Sequence, residues 1–310
     1  DFHFVATLPR DEKELKGGKD YSDRPYCILA DHSDEAHEQA LVLAKNSDVC
    51  VFGACSQEYA IERAKQEHCG LSFECGERWL KRGWLNVLSP VLRNWWKNYR
   101  KYYRHKPFYK LCASAFVATD DEKLGCYKGR HYKWGYFSQV PEGLEHCDDI
   151  AELSSEKKVR LMWCARFIDW KHPELAILLA ERLKRDGSQF ILDMYGEGAL
   201  RASMENKVSD LGLTDVVKFH GNVPNDEIRR AMSNADIFLF TSDKNEGWGA
   251  VANESMSNGC VLVGSDALGC APYLIKDGEN GFMFKSSKVS CSFGNPDMIA
   301  LGSLYEKVVW

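Results

Sequence analysis

Glu246 and Glu254 bracket the most chemically suggestive stretch of the sequence, Ser242-Asp243-Lys244-Asn245-Glu246-Gly247-Trp248-Gly249 through Glu254. A glycine-bearing turn that opens a helix near Gly249 puts Glu246 at the strand–helix corner, beside free helix amides. Glu254 then lies a turn or more inside. From those places one carboxylate can accept hydroxyls of one sugar ring and the other those of a second. A helix with acids on its exposed side fits the same spacing. Upstream, Arg166 and Lys171 flank the turn before His172-Pro173. A fork donor plus a point cation near a helix amino terminus makes an anion or diphosphate clamp. Taken alone, an Arg and a Lys five apart are ordinary surface charges. Two further stretches carry weaker signals. In Tyr195-Gly196-Glu197-Gly198 the glycines permit close backbone approach to a ligand or simply make the turn. In Phe219-His220-Gly221-Asn222-Val223-Pro224 a planar base could lie along the backbone, although His220 fits a core or plain loop position as well.

These residues need elements to hold them. Val159–Cys164, Phe190–Leu192, Val216–Phe219, Ile237–Phe240, Cys260–Val263 and Gly281–Phe284 read as strands. Helices opening at His172-Pro173, Ala199, Asn225 and Gly249 fall between them. Short strands alternating with helices imply crossover units and a mostly parallel sheet, and ligands of such sheets gather at the strands' carboxyl ends. All four stretches fall there. The amino half alternates less regularly. Strands are expected at Phe2–Ala6, Asp48–Gly53, Leu71–Phe73, Leu111–Phe116 and His131–Trp134, with a helix over Gln57–Glu67. Pro141–Asp149 is acidic and poor in hydrophobes and reads as a linker. Two α/β domains follow, 1–145 and 146–310.

Composition limits the function classes. The 310 residues are 45% hydrophobic and 27% charged, a globular balance with ample length for one or two cores. No apolar run approaches the roughly 18 residues of a spanning helix. A net charge of −5 argues against a globally basic nucleic-acid binder. The twelve cysteines include no Cys-x-x-Cys pair, which weakens a zinc site, and several lie in apolar runs. Reduced, mostly buried thiols in a cytoplasmic protein are expected. Residues 81–110 hold nine cations and no acid, so the rest of the chain carries −14 against the overall −5. Interleaved Trp84, Trp95, Trp96, Tyr99, Tyr102, Tyr103 and Tyr109 suit an anionic membrane surface. A solvated helix with its aromatics on the core is the plainer alternative, and single-stranded nucleic acid the least favoured. The chain begins at Asp1 within a strand pattern and ends in an uncapped helical pattern from Met298. Both ends therefore look cut, and a targeting segment could have preceded them.

Glu246-Gly247-Trp248-Gly249 through Glu254 resembles the Glu-x7-Glu signature of the retaining glycosyltransferases of family four, with Trp where Phe is usual. Arg166 and Lys171 fall at that family's paired diphosphate-binding cations. The resemblance runs through Phe219–Val223 to Asp277-Gly278-Glu279-Asn280-Gly281-Phe282, roughly residues 158–284. It implies the GT-B fold: two Rossmann-like doubly wound α/β domains facing a cleft, with the acceptor side on the first and the donor on the second.

It further implies a metal-independent transfer from a UDP- or GDP-type sugar nucleotide to a glycan or glycolipid, with retention and without a cofactor. Arg166 and Lys171 neutralise the leaving diphosphate, and Glu246 binds donor-sugar hydroxyls. Gly247, Trp248 and Gly249 bring backbone amides, with Trp248 altering the pocket beside the donor. Glu254 holds the ribose, and Gly196, Gly221, Asn222 and Val223 complete the donor site. No second carboxylate supports a glycosidase mechanism. The family's first strand and glycine-rich loop, and its final crossover helix, have no counterpart in the sequence. Its amino-domain histidine has no assignable match among His3, His68 and His131. A sugar-nucleotide epimerase of the same architecture and a non-catalytic binding subunit are the rivals. Cytoplasmic placement, peripheral on the inner membrane face through residues 81–110, completes the expectation.

Overall fold

A computed structural model describes residues 1–7, 22–53, 56–138, 140, 158–286 and 298–309. The chain divides into two compact units, Asp1–Gly135 and Tyr136–Trp310. The boundary expected at 145/146 and the linker stretch 141–149 lie outside the described residues, as do Cys55, Cys147 and Cys291. The nine other cysteines are free thiols, four of them buried.

The first unit is built on parallel pairing. β1 (Phe4–Ala6) pairs with β2 (Cys27–Leu29), and α1 (Asp34–Asn46) follows. The Ser33 hydroxyl accepts from the Ala36 N–H and caps α1, whose first turn carries Asp34 and Glu35. β3 (Val49–Phe52), β4 (Leu71–Gly76), β5 (Phe108–Cys112) and β6 (His131–Lys133) form a second sheet in chain order. α2 (Gln57–Ala64), α3 (Pro90–Asn98) and α4 (Val117–Lys123) fall between them. Phe52, Trp95, Tyr99, Tyr103 and Phe108 build its core. Arg63 is fully buried, and among the described residues no carboxylate pairs with it. Its guanidinium instead donates to the Ser72 hydroxyl and to the carbonyls of Ala44, Ser47, Asp48 and Leu71, fastening the end of α1 to the sheet.

Two expectations change here. The strand expected at Leu111–Phe116 begins at Phe108 and ends at Cys112, because the Ser114 hydroxyl turns the chain by accepting from the Phe116 N–H. Lys110, counted among the surface cations, is therefore a buried strand residue paired with Glu74 at 3.3 Å. The aromatics of residues 81–110 also divide. Trp95, Tyr99 and Tyr103 are core, while Trp84 is 63% exposed beside the exposed Leu85, Leu88 and Val91.

The second unit follows the sequence closely. β7 (Val159–Cys164), β8 (Phe190–Tyr195), β9 (Val217–Gly221), β10 (Ile237–Phe240), β11 (Val261–Ser265) and β12 (Gly281–Phe284) make one parallel sheet ordered β12-β11-β10-β7-β8-β9. α5 (Pro173–Arg185), α6 (Arg201–Asp210), α7 (Asn225–Ser233), α8 (Ala250–Ser257), α9 (Ala271–Leu274) and α10 (Met298–Val308) complete it. One core holds Leu175, Leu179 and Leu183 of α5 with Leu301 and Leu304 of α10. A second holds Phe238 and Phe240 of β10 with Ala252 of α8. The strand order reverses between β7 and β10, the first and fourth strands of the unit. Such a switch point opens a crevice at the strands' carboxyl ends, where doubly wound folds bind nucleotides.

Candidate functional site

The loops after β7 and β10 meet at this switch point. After β7 the chain enters a 3-10 turn at Asp169–Lys171 and then α5. The Lys171 ammonium lies 4.2 Å from the centre of the Trp170 ring, and the Arg166 guanidinium 5.9 Å from it. One indole thus gathers both expected cations. After β10, Thr241 donates its hydroxyl to the Lys171 carbonyl at 2.7 Å, and the Asp243 N–H reaches the Trp170 carbonyl at 3.0 Å. The Trp163 indole N–H in turn donates to the Thr241 hydroxyl, 2.8 Å away. Held this way, Lys171 forms an ion pair with Glu246, both side chains being about nine-tenths buried. Residues 75 apart in sequence therefore share one charge-compensated site.

Gly249 makes the corner between Glu246 and α8. Its φ is +89°, and a Cβ there would sit 2.4 Å from the Phe240 ring, so only glycine fits without displacement. α8 begins at Ala250, one residue past the expected start, with no side-chain cap on its amides. Glu254 lies one turn along and is half-buried. Burial pushes its carboxyl above the usual range, and Arg229 opposes that shift. Burial and then the Glu254 charge push the Cys164 thiol, at the end of β7, up to about 12.

The remaining expected residues are placed as follows. The loops after β7, β8 and β9 pack backbone to backbone: Ala165 N–H donates to the Tyr195 carbonyl and Gly196 N–H to the Gly221 carbonyl. A Cβ at Gly196 would meet the Ala165 oxygen at 2.1 Å, so this glycine is required by the neighbouring loop. Asn222 is exposed and Val223 packs against the β10–α8 core. His220 is not a core residue. It stacks on Tyr195 with ring centres 4.4 Å apart and meets Asp193 at 2.7 Å. Gly247 is buried. Trp248, expected to shape the pocket beside a donor, is 2% exposed and donates its indole N–H to Asn253. Its side chain is therefore core, because the ring finds an apolar bed between Tyr136 and Tyr273. The Asp277–Phe282 stretch closes on itself through Asn280 and Asp277, which accept from the Lys276 and Met283 N–H groups.

Sequence reasoning gave no role to Trp170, Thr241, Asp243 or His172. Trp170 left a trace, an aromatic between two cations, but the others act through contacts across some 70 positions. Burial alone would push the His172 imidazole down; the bonds to Asp243 and Glu174 outweigh it and bring it up to about 9. Among the described residues no group of three or more His, Cys, Asp or Glu could hold a metal ion.

The second unit is thus a doubly wound α/β fold with four loops gathered at the carboxyl ends of its strands. Residues 148–290, a little under half of the chain, match the family described as glycosyl transferases group 1. The chain is similar to the amylovoran biosynthesis glycosyltransferase AmsK of Erwinia amylovora, at 32% identity over 130 residues, which is 40% of this chain and 32% of the relative. It is also similar to the GtfA subunit of a UDP-N-acetylglucosamine–peptide N-acetylglucosaminyltransferase from Limosilactobacillus reuteri. That match is 24% identical, over 61% of this chain and 36% of the relative. The chain thus spans about a third of the length of these curated relatives. Among solved structures, a lipopolysaccharide outer core galactosyltransferase, WaaB, superposes with a TM-score of 0.62 at 17% identity, over 88% of this chain and 69% of its own. The Anabaena protein HepE in complex with UDP and glucose does so with a TM-score of 0.57 at 17% identity, over 89% and 72%. At that identity the likeness concerns the fold.

Proposed function

We propose that this chain transfers a sugar from a nucleotide-diphospho-sugar to a glycan or glycolipid, with retention at the anomeric carbon and without a metal ion. The observation that carries this reading is the convergence of Arg166, Lys171 and Glu246 at the switch point. As the bond from the anomeric carbon to the diphosphate breaks, negative charge grows on the leaving oxygen. A guanidinium fork and an ammonium already oriented on Trp170 stabilise that charge more than they stabilise the ground state. The same two cations supply the neutralisation that a metal would otherwise give. Lys171 turns to the phosphate, which frees the Glu246 carboxylate for sugar hydroxyls. Glu254, one turn into α8, accepts the ribose hydroxyls. UDP is the first nucleotide to try, because HepE is solved with it.

The reading extends to a cytoplasmic enzyme attached peripherally to an anionic membrane face through the edge formed by residues 84–104. Exposed Trp84, Leu85, Leu88 and Val91 there adjoin exposed Arg93, Lys97, Arg100, Lys101 and Arg104.

The test is product analysis by proton NMR, with UDP-sugars, glycan acceptors and EDTA. The expected product is a new glycoside with the donor's anomeric configuration, formed at least about 100-fold more slowly by Arg166→Ala. An inverted product would overturn retention. Nucleotide release that is equally fast without acceptor would replace transfer by epimerase chemistry.

A further inference from the structure

Of the described residues, only Tyr127 and His172 adopt positive φ without being glycine. His172 sits between the 3-10 turn that carries Lys171 and the start of α5, at φ 49°. That is a conformation side chains rarely adopt. Its backbone N–H donates to the Asp169 carbonyl. Its buried imidazole spans two carboxylates from different elements. Nδ1 lies 2.9 Å from Glu174 of α5, and Nε2 lies 3.5 Å from Asp243 in the loop after β10. Asp243 is held from its other side by the N–H and side-chain amide of Asn245, and its carbonyl accepts from the Glu246 N–H. One side chain therefore joins the turn bearing Lys171 to the loop bearing Glu246.

We infer that His172 is a positioning residue of the donor site: as an imidazolium bound to both Glu174 and Asp243, it fixes Lys171 and Glu246 relative to each other. The inference rests on the donor reading above. The charged groups facing the ring are Glu174 on α5 and Asp243 after β10, with the Lys171–Glu246 pair adjoining. Only the protonated ring has a donor on each nitrogen, one for each carboxylate. The bridge is at full strength below the free imidazole value of 6.5 and is lost as pH rises through about 9.

The experiment measures UDP affinity by calorimetry from pH 6 to 10.5 in EDTA, for wild type, His172→Asn and Asp243→Asn. Melting temperatures are recorded without ligand over the same range. Asn accepts the left-handed backbone and carries no charge. At pH 7 both variants should bind UDP roughly tenfold more weakly. The wild-type advantage over His172→Asn should vanish as pH passes about 9. UDP's own titration is common to both proteins and cancels from the comparison. The melting difference should disappear over the same range. UDP affinity unchanged in both variants would overturn the positioning role even if the melting difference stood. Should His172→Asn fail to fold, an Asp243→Asn profile that keeps the wild-type affinity would overturn it equally. Wild type binding neither UDP nor GDP would overturn the donor reading and the positioning role with it, while the melting profiles would still report the bridge.

Discussion

The Lys171–Glu246 ion pair sets a condition on any ligand: a diphosphate that takes the ammonium must release the carboxylate. Glu246→Gln removes that competition. We expect it to bind UDP at least as tightly as wild type, because the Lys171 ammonium no longer has to leave a buried carboxylate to reach the phosphate. The additional affinity of a UDP-sugar over UDP should be lost. Calorimetry with both ligands checks this, and a variant that loses UDP itself would place Glu246 at the phosphates instead. At this scale the sequence singled out Arg166, Lys171 and Glu246 as a set of motifs, and the structure brings these three together on Trp170 and in one ion pair. Trp170, Thr241, Asp243 and His172 were opaque because their roles are contacts between loops, and spacing along the chain does not encode those. Trp248 shows the reverse: its place in the motif suggested a pocket wall, but apolar neighbours bury it.

Among the elements, the strands and helices of the second unit were the easiest to read. β10 begins and ends where its apolar run does, because a central parallel strand covered on both faces needs hydrophobes throughout. The first unit resisted reading. β5 contains Lys110, whose charge disguised a buried strand, and α1 bunches its apolar residues into the run Ala40–Ala44, which marks no helical period. The segment from Gly83 to Tyr103 passes from a 3-10 turn through α3 into a π turn, so no single period describes it. Its outer side exposes Trp84 and sets Arg100 over Trp96 at 4.8 Å. Each basic side chain near an anionic bilayer contributes about 1 kcal/mol. Reversing Lys97, Arg100, Lys101 and Arg104 to Glu should therefore abolish sedimentation with vesicles containing phosphatidylglycerol, and Trp84→Ser should weaken it. Unchanged sedimentation of the fourfold variant would remove the membrane from the account. No described helix is long and apolar enough to cross a bilayer.

For the molecule as a whole, the reversal of strand order between β7 and β10 explains why four stretches spread over some 90 residues converge. Alternating strands and helices announce crossover units, which is why the α/β class and its parallel sheets were legible from pattern alone. Strand order is not written in any local pattern, and it became an expectation only through the family resemblance. The central claim is that this arrangement binds a nucleoside diphosphate through the two cations on Trp170. Thermal melting with a panel of nucleoside diphosphates in EDTA tests it most directly, comparing wild type with Arg166→Ala. A ligand at 100 times its Kd adds about 2.7 kcal/mol to the folded state. The account predicts a rise in melting temperature with UDP or GDP that is lost in Arg166→Ala. A folded wild type that responds to no nucleoside diphosphate, or a response that Arg166→Ala keeps in full, would contradict it.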